Sequence, residues 1–281
     1  MRTHDTILTL RAKAGWFDVN LGELWDYRDL ILLMVRRDFV AQYKQTILGP
    51  LWYIIQPLFT TVVFTVIFSK VAQIPTDGAP PFLFYLAGNV CWMYFASCLT
   101  DTSNTFTANA GIFGKVYFPR LVVPVSVACS KLFQFAIQFA LFALALIWQA
   151  SLGAKVAPTA WALALPLLLL QMALLGLGVG ALISSLTTKY RDLSMALGFC
   201  VQLWMYGSPV AYPLSQVPQR YQTLYCLNPM VAVIENFRAA FLGVGGVDAT
   251  LTLQSWAMTL VFLFAGVLLF NRTQKTFMDT V

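Results

Sequence analysis

Long runs of apolar residues, parted by short polar or Pro/Gly-containing breaks, recur along nearly the whole chain. A helix needs about 20 mainly apolar residues to cross a bilayer. Six runs approach or reach that length: Leu51 to Phe68, Phe82 to Leu99, Leu132 to Trp148, Ala160 to Leu186, Leu193 to Tyr212 and Leu253 to Phe270. Gly49 and Pro50 mark the start of the first. Lys131 sets the start of the third, because a lysine at the hydrocarbon boundary can snorkel to the surface. The pattern predicts an all-α polytopic membrane protein with a single domain over residues 1–281. Residues 1–48 precede the spans, a six-helix membrane domain covers 49–270, and a tail covers 271–281.

Shorter apolar stretches fill the gaps. Leu30 to Val35, closed by Arg36, Arg37 and Asp38, cannot cross a bilayer and predicts an N-terminal amphipathic helix lying in the membrane interface. Asn104 to Lys115 can form a short helix in the loop after the second span, ended by the Pro119 region. Between the fifth and sixth spans, Asn228 is placed to cap a helix whose first residue is Pro229, and Gly243 to end it. Met230 to Leu242 is too short to span, so it is expected to dip into the outer face and return as a re-entrant hairpin. Glu235 and Arg238 within it are three residues apart and can pair. The fourth span carries Gly176, Gly180 and Ser184 at four-residue intervals, a small-residue ridge that lets another helix approach closely.

A composition of 59% hydrophobic and 11% charged residues excludes an ordinary soluble domain, and the mean hydropathy of +0.71 agrees. The first 20 residues hold no apolar stretch before a small-residue site, so no cleaved signal peptide is expected. With the N-terminus inside, Lys and Arg fall on inner segments except Lys70, Lys155, Arg220 and Arg238 outside and Lys131 at the third span. Positive flanks stay cytoplasmic, so both termini are expected there. The net charge of +6 is then a topology signal and no nucleic-acid partner is implied.

Missing groups narrow the function. Ion-coupled transporters keep acids or histidines at membrane depth, whereas the 12 acids here can all be placed outside the spans or at their ends and the one histidine is His4. The same lack argues against a membrane-embedded hydrolase or glycan-modifying enzyme. The five cysteines show neither a disulfide framework nor metal spacing. Gly114-Lys115 is followed by Val116 where a phosphate loop needs Ser or Thr, and Asn109 stands where its first Gly belongs. No catalytic site, metal or cofactor is therefore expected in this chain. Any uphill transport must be powered by another polypeptide.

Several stretches resemble one family. They are Leu24 to Leu30, Arg37-Asp38, Tyr43 to Thr46, Leu48 to Trp52, Gln56-Pro57, Val116 to Arg120 with Pro124, Tyr190 to Asp192, Ser208 to Val210 with Tyr212-Pro213, Leu227 to Met230, Glu235 with Phe237-Arg238, and Phe277 to Asp279. In this order they are similar to the ABC-2 type permeases that export polysaccharides, most closely the Wzm-like subunits for O-antigen. Gln274 departs from the acid that the family tail often carries. The resemblance implies a homodimer in the bacterial cytoplasmic membrane, served by two copies of a cytoplasmic subunit that binds ATP and Mg. It further implies that the cargo is a lipid-linked polysaccharide. A teichoic acid or a small hydrophobic compound remains the alternative cargo for the same architecture.

By that resemblance the loop from Asp101 to Pro124 docks the ATPase, with Asn109, Phe113, Lys115, Tyr117, Phe118 and Arg120 as its contacts. The interfacial helix resembles the family's gate helix, where Arg36, Arg37, Tyr43 and Lys44 can meet substrate phosphates or, equally, anionic lipid headgroups. Aromatic residues form 15% of the chain, and sugar rings stack on aromatic faces. Tyr53, Phe59, Tyr85, Trp92, Phe95, Trp204 and Tyr206 are the candidates for lining a channel, against interfacial belts or helix packing as the common use. The intramembrane amides Gln56, Asn89, Gln134, Gln138 and Gln202 can bond sugar hydroxyls or neighbouring helices.

Overall fold

The computed structural model describes residues 21–44, 47–113, 115–116, 118–190 and 192–276. Gln45, Thr46, Tyr117 and Phe277 to Asp279 lie outside the described residues, as does the side chain of Tyr43. The chain forms α1 (Leu21–Asp26), α2 (Arg28–Tyr43), α3 (Trp52–Phe64), α4 (Pro81–Ser103), α5 (Thr105–Phe113) and α6 (Val122–Ser151). It continues through α7 (Leu165–Thr187), α8 (Asp192–Tyr206), α9 (Gln219–Tyr225), α10 (Pro229–Leu242) and α11 (Ala249–Thr276), with no strand among the described residues.

Among the described residues, five helical stretches are long and apolar enough to cross a membrane: Gly49–Val71, Pro81–Ser103, Val122–Ser151, Ala160–Thr187 and Ala249–Gln274. The fifth expected span, Leu193 to Tyr212, differs. Its helix α8 has 15 residues and ends at Tyr206, about 22 Å at 1.5 Å per residue. The chain then turns, Asn228 Nδ2 donating to Gly207 O at 2.9 Å and Ser208 Oγ at 2.8 Å. The helix of the third span starts earlier than Leu132, since α6 begins at Val122 and holds Lys131, whose charge is met by Asp101 at 2.5 Å. At the other end, α11 runs through residue 271 to Thr276, so the expected tail continues the last span.

α4 is the central helix. It packs against α3, α6, α7 and α10, which leaves Leu83 to Trp92 buried on every side. The small-residue ridge works inside the subunit: a Cβ on Gly176 would lie 2.7 Å from Cys98 Cβ and one on Gly180 would lie 2.6 Å from Thr102 Cβ, both on α4. On the opposite face of α7, Gly178 meets Gly266 of α11. Gln171 of α7 donates to Ser255 Oγ of α11 at 2.7 Å, and Ser255 donates in turn to the Pro229 carbonyl at 2.8 Å. These bonds tie three helices together through buried polar groups that would be costly to leave unpaired.

α10 forms as its capping residues predict. Asn228 Oδ1 accepts from the Met230 N–H at 3.1 Å, and Gly243 adopts the left-handed conformation with φ +68° that a Cβ disfavours. The helix is apolar nearly all round and buried nearly all round. Arg238 is 1% exposed. Its guanidinium donates to Glu235 Oε1 at 3.2 Å, Val210 O at 3.1 Å and Phe84 O at 3.4 Å, and its centre stands 3.5 Å from the Phe84 ring centroid.

Candidate functional site

The amides of the spans converge. Gln56 from α3, Asn89 from α4, Gln134 from α6 and Gln202 from α8 line one open cleft of about 480 Å³, together with Trp92, Thr60, Ser97 and Asp101. Gln138, the fifth amide, points elsewhere, its Nε2 lying 3.4 Å from Met93 Sδ. Asn89 Nδ2 also donates to the Pro57 carbonyl at 3.4 Å, across from the point where proline breaks the helical bonding of α3. A primary amide both donates and accepts, so a cleft walled by four of them offers paired partners to hydroxyl groups.

The aromatic candidates divide. Trp92, Phe95 and Trp204 form one cluster, with ring centroids 5.3 Å apart for Trp92 and Phe95, 6.4 Å for Trp92 and Trp204, and 5.1 Å for Phe95 and Trp204. Trp92 reaches the cleft. The Trp204 indole N–H donates to Asn228 Oδ1 at 3.0 Å, which makes the α10 cap a fixed support for the cluster. Tyr85 and Phe95 are fully buried, because both belong to the central helix; Tyr85 packs against Phe64 and Phe68. Phe59 and Tyr206 stand exposed and Tyr53 is half-buried, none of them in the cleft lining.

A second cavity, of about 340 Å³, lies where α2, α5 and α6 meet the end of α4. Its lining includes Arg37, Asp38, Asp101, Asn104, Asn109 and Ile112. Asp101 lines both spaces. α2 packs on α6 through the buried Met34 and through Phe39 against Phe133, with centroids 4.7 Å apart. Its outward face mixes apolar Leu32, Leu33 and Val40 with Arg28 and Arg36, the composition of a helix at a membrane surface. Arg37 is paired with its neighbour Asp38 at 2.8 Å. Arg36 and Lys44 are exposed.

The expected docking residues separate into anchors and surface. Asn109, Phe113 and Phe118 are buried. Phe113 and Phe118 pack with Phe106 and Phe270 in a second core, where Phe106 and Phe270 stack at 4.5 Å. Arg120 donates to the Gln274 carbonyl and lies 5.4 Å over the Phe113 ring; burial lowers its pKa from the usual arginine value. Lys115 is exposed, and with it Thr107, Ala108, Gly111, Ile112 and Val116. Thr107, Ala108, Gly111 and Ile112 carry no motif, yet helical periodicity finds them, since 107, 108, 111 and 112 share the face of α5 opposite Phe106, Asn109 and Phe113.

Residues 29–242 match the ABC-2 type transporter family. The chain is 25% identical over 260 residues to the O-antigen export system permease protein RfbA of Klebsiella pneumoniae, covering 92% of this chain and 96% of that protein. It is 26% identical over 261 residues to the protein of the same name from Myxococcus xanthus, covering 92% and 98%. To the polysialic acid transport protein KpsM of Escherichia coli it is 25% identical over 250 residues, covering 87% and 93%. The matched stretch takes in α2, α5, the amide cleft and the capped α10, so the chain belongs to the ABC-2 type transporter family.

Proposed function

We propose that this chain is the permease subunit of an ATP-driven exporter that moves a lipid-linked polysaccharide, of the O-antigen or capsule kind, across the bacterial cytoplasmic membrane. The cleft carries this reading: four amides and an indole give hydroxyl-rich sugar rings both hydrogen-bond partners and a flat face. The kinship to export permeases supports the same cargo class. In this reading the subunit has six spans, α8 and the turn after it forming the fifth, while α9 and α10 make a re-entrant hairpin on the outer side. Both termini are cytoplasmic. Apolar side chains left exposed on α3 and α8, among them Phe59, Val62, Phe199 and Leu203, face lipid or a second copy in a homodimer.

The exposed face of α5 is where each of two ATP-binding subunits docks, the buried aromatics serving to hold that helix in place. ATP and Mg belong to those subunits. A change of Ile112 to Asp is expected to weaken co-purification of the ATPase roughly tenfold, as loss of a central interface contact does, while leaving the permease monodisperse. Undiminished association in that variant would remove the docking assignment.

The test of the transport reading is reconstitution. The permease alone should hydrolyse no ATP. Together with its ATPase it should restore surface polysaccharide to a strain lacking the permease, and replacing Gln56, Gln134 and Gln202 together by Leu should cut that export by about tenfold or more, each lost amide costing roughly 1 kcal/mol of polar contact. Robust hydrolysis by the lone chain, or wild-type export through a cleft lacking those three glutamines, would overturn it.

A further inference from the structure

Lys131 precedes the third apolar run in the sequence, and the structure places it inside α6 in an unusual setting. Its ammonium meets Asp101 Oδ2 at 2.5 Å, and the two side chains differ sharply in exposure, 13% for the lysine and 46% for the aspartate. A lysine covered to that degree requires a counter-charge. The aspartate does not depend on the lysine in the same way, because water can solvate it if it swings aside. Asp101 also stands at the junction of the two cavities, lining both the amide cleft and the polar space beneath α2 and α5.

The level of Lys131 in the bilayer matters as well. α6 has 30 residues, about 45 Å, and so exceeds a hydrocarbon core of about 30 Å by roughly ten residues. Trp148 is exposed near the far end of α6, where an indole marks the membrane interface. Counting about 20 residues back from Trp148 starts the hydrocarbon near residue 128, so most of the excess lies at the Val122 end and Lys131 stands within about one turn of the inner boundary, from where an ammonium can snorkel to the level of the lipid phosphates. Gln134 follows it by three residues on α6 and opens into the cleft.

We propose that Lys131 receives the phosphate of the lipid-linked substrate, with Asp101 holding that place in the unloaded protein. Resting on the transport reading above, this assigns the head of the cargo to the junction of the cavities and the first sugars to the amide cleft. A phosphate brings at least the charge of the carboxylate it displaces and more acceptor oxygens for the three ammonium N–H donors. Arg37, on the wall of the second cavity, lies beside the route of entry.

The experiment uses the permease–ATPase complex in detergent and four probes: a long-chain polyisoprenyl phosphate, the matching polyisoprenol, phosphatidylglycerol and inorganic phosphate. The wild type is expected to bind the isoprenyl phosphate at least tenfold tighter than the isoprenol and than phosphatidylglycerol. Lys131→Ala should bind phosphate and alcohol alike, Lys131→Arg should keep the preference, and Asp101→Asn should bind the isoprenyl phosphate several-fold tighter. The double variant Lys131→Gln with Asp101→Asn leaves no charge unpaired and should lose the preference as Lys131→Ala does. A preference that survives in the double variant overturns the proposal. Equal binding of phosphatidylglycerol or free phosphate at Lys131 overturns it too, since the site would then be a headgroup or ion anchor. Discrimination through Lys131 without polysaccharide export sinks the transport reading alone; export by a wild type that shows no discrimination sinks this inference alone.

Discussion

Replacing Arg238 by alanine is expected to remove about 3–5 kcal/mol of stability, the usual cost of taking one partner from a buried ion pair. The guanidinium is shared among Glu235, the Val210 and Phe84 carbonyls and the Phe84 ring, so its loss strands a carboxylate that is 14% exposed and two carbonyls at once. Those partners lie on α4, on the turn after α8 and on α10, which makes one side chain the joint of three segments. Thermal unfolding of the detergent-solubilised protein, followed by the surviving monodisperse fraction, measures the effect. A double change, Glu235→Leu with Arg238→Met, should recover much of the loss, because a well-packed apolar pair often equals a buried ionic one. If the single variant melts with the wild type, the joint is not structural.

A methyl group at Gly266 is expected to be nearly as damaging. The added Cβ would fall 2.0 Å from the Gly178 carbonyl oxygen on α7, and the obstacle is backbone, which cannot rotate away. Gly178 is equally tight from its own side, with a Cβ 2.6 Å from Leu263. Overpacking a core costs roughly 1–3 kcal/mol and sometimes more, and here α7 and α11 must separate along their closest contact. Gly266→Ala should therefore lose about 3 kcal/mol in the same melting measurement. Gly198→Ala, where nothing lies within 4 Å of the added carbon, should leave the melting point unchanged or slightly raised. Equal behaviour of the two variants would show that the close approach is not needed.

Much of this was written in the order of residues. The apolar runs carry the long helices without help from the rest of the chain, because an apolar helix satisfies its own backbone wherever it lies in lipid. The caps of α10 are equally local: Asn228, Pro229 and Gly243 act within one helix, and each does what its chemistry predicts. The family resemblance, too, rests on short motifs that can be read one after another.

What faced what was not local. The ridge at Gly176 and Gly180 gave no sign of choosing α4 over a second subunit, and Gly178 with Gly266 carried no motif at all. Phe113 and Phe118 fit a docking surface as motif residues, yet the fold buries them in one cluster with Phe106, which stacks on Phe270 of α11. Four amides far apart in sequence share one cleft only because α3, α6 and α8 pack around α4. Lys131 shows the division most plainly. Its sequence neighbours could make it only a boundary marker, while Asp101, thirty residues away on another helix, makes it a charged group held inside the protein. Periodicity fixes the direction of a side chain relative to its own helix axis. The partner in that direction is set by long-range packing among helices, which no stretch of sequence contains.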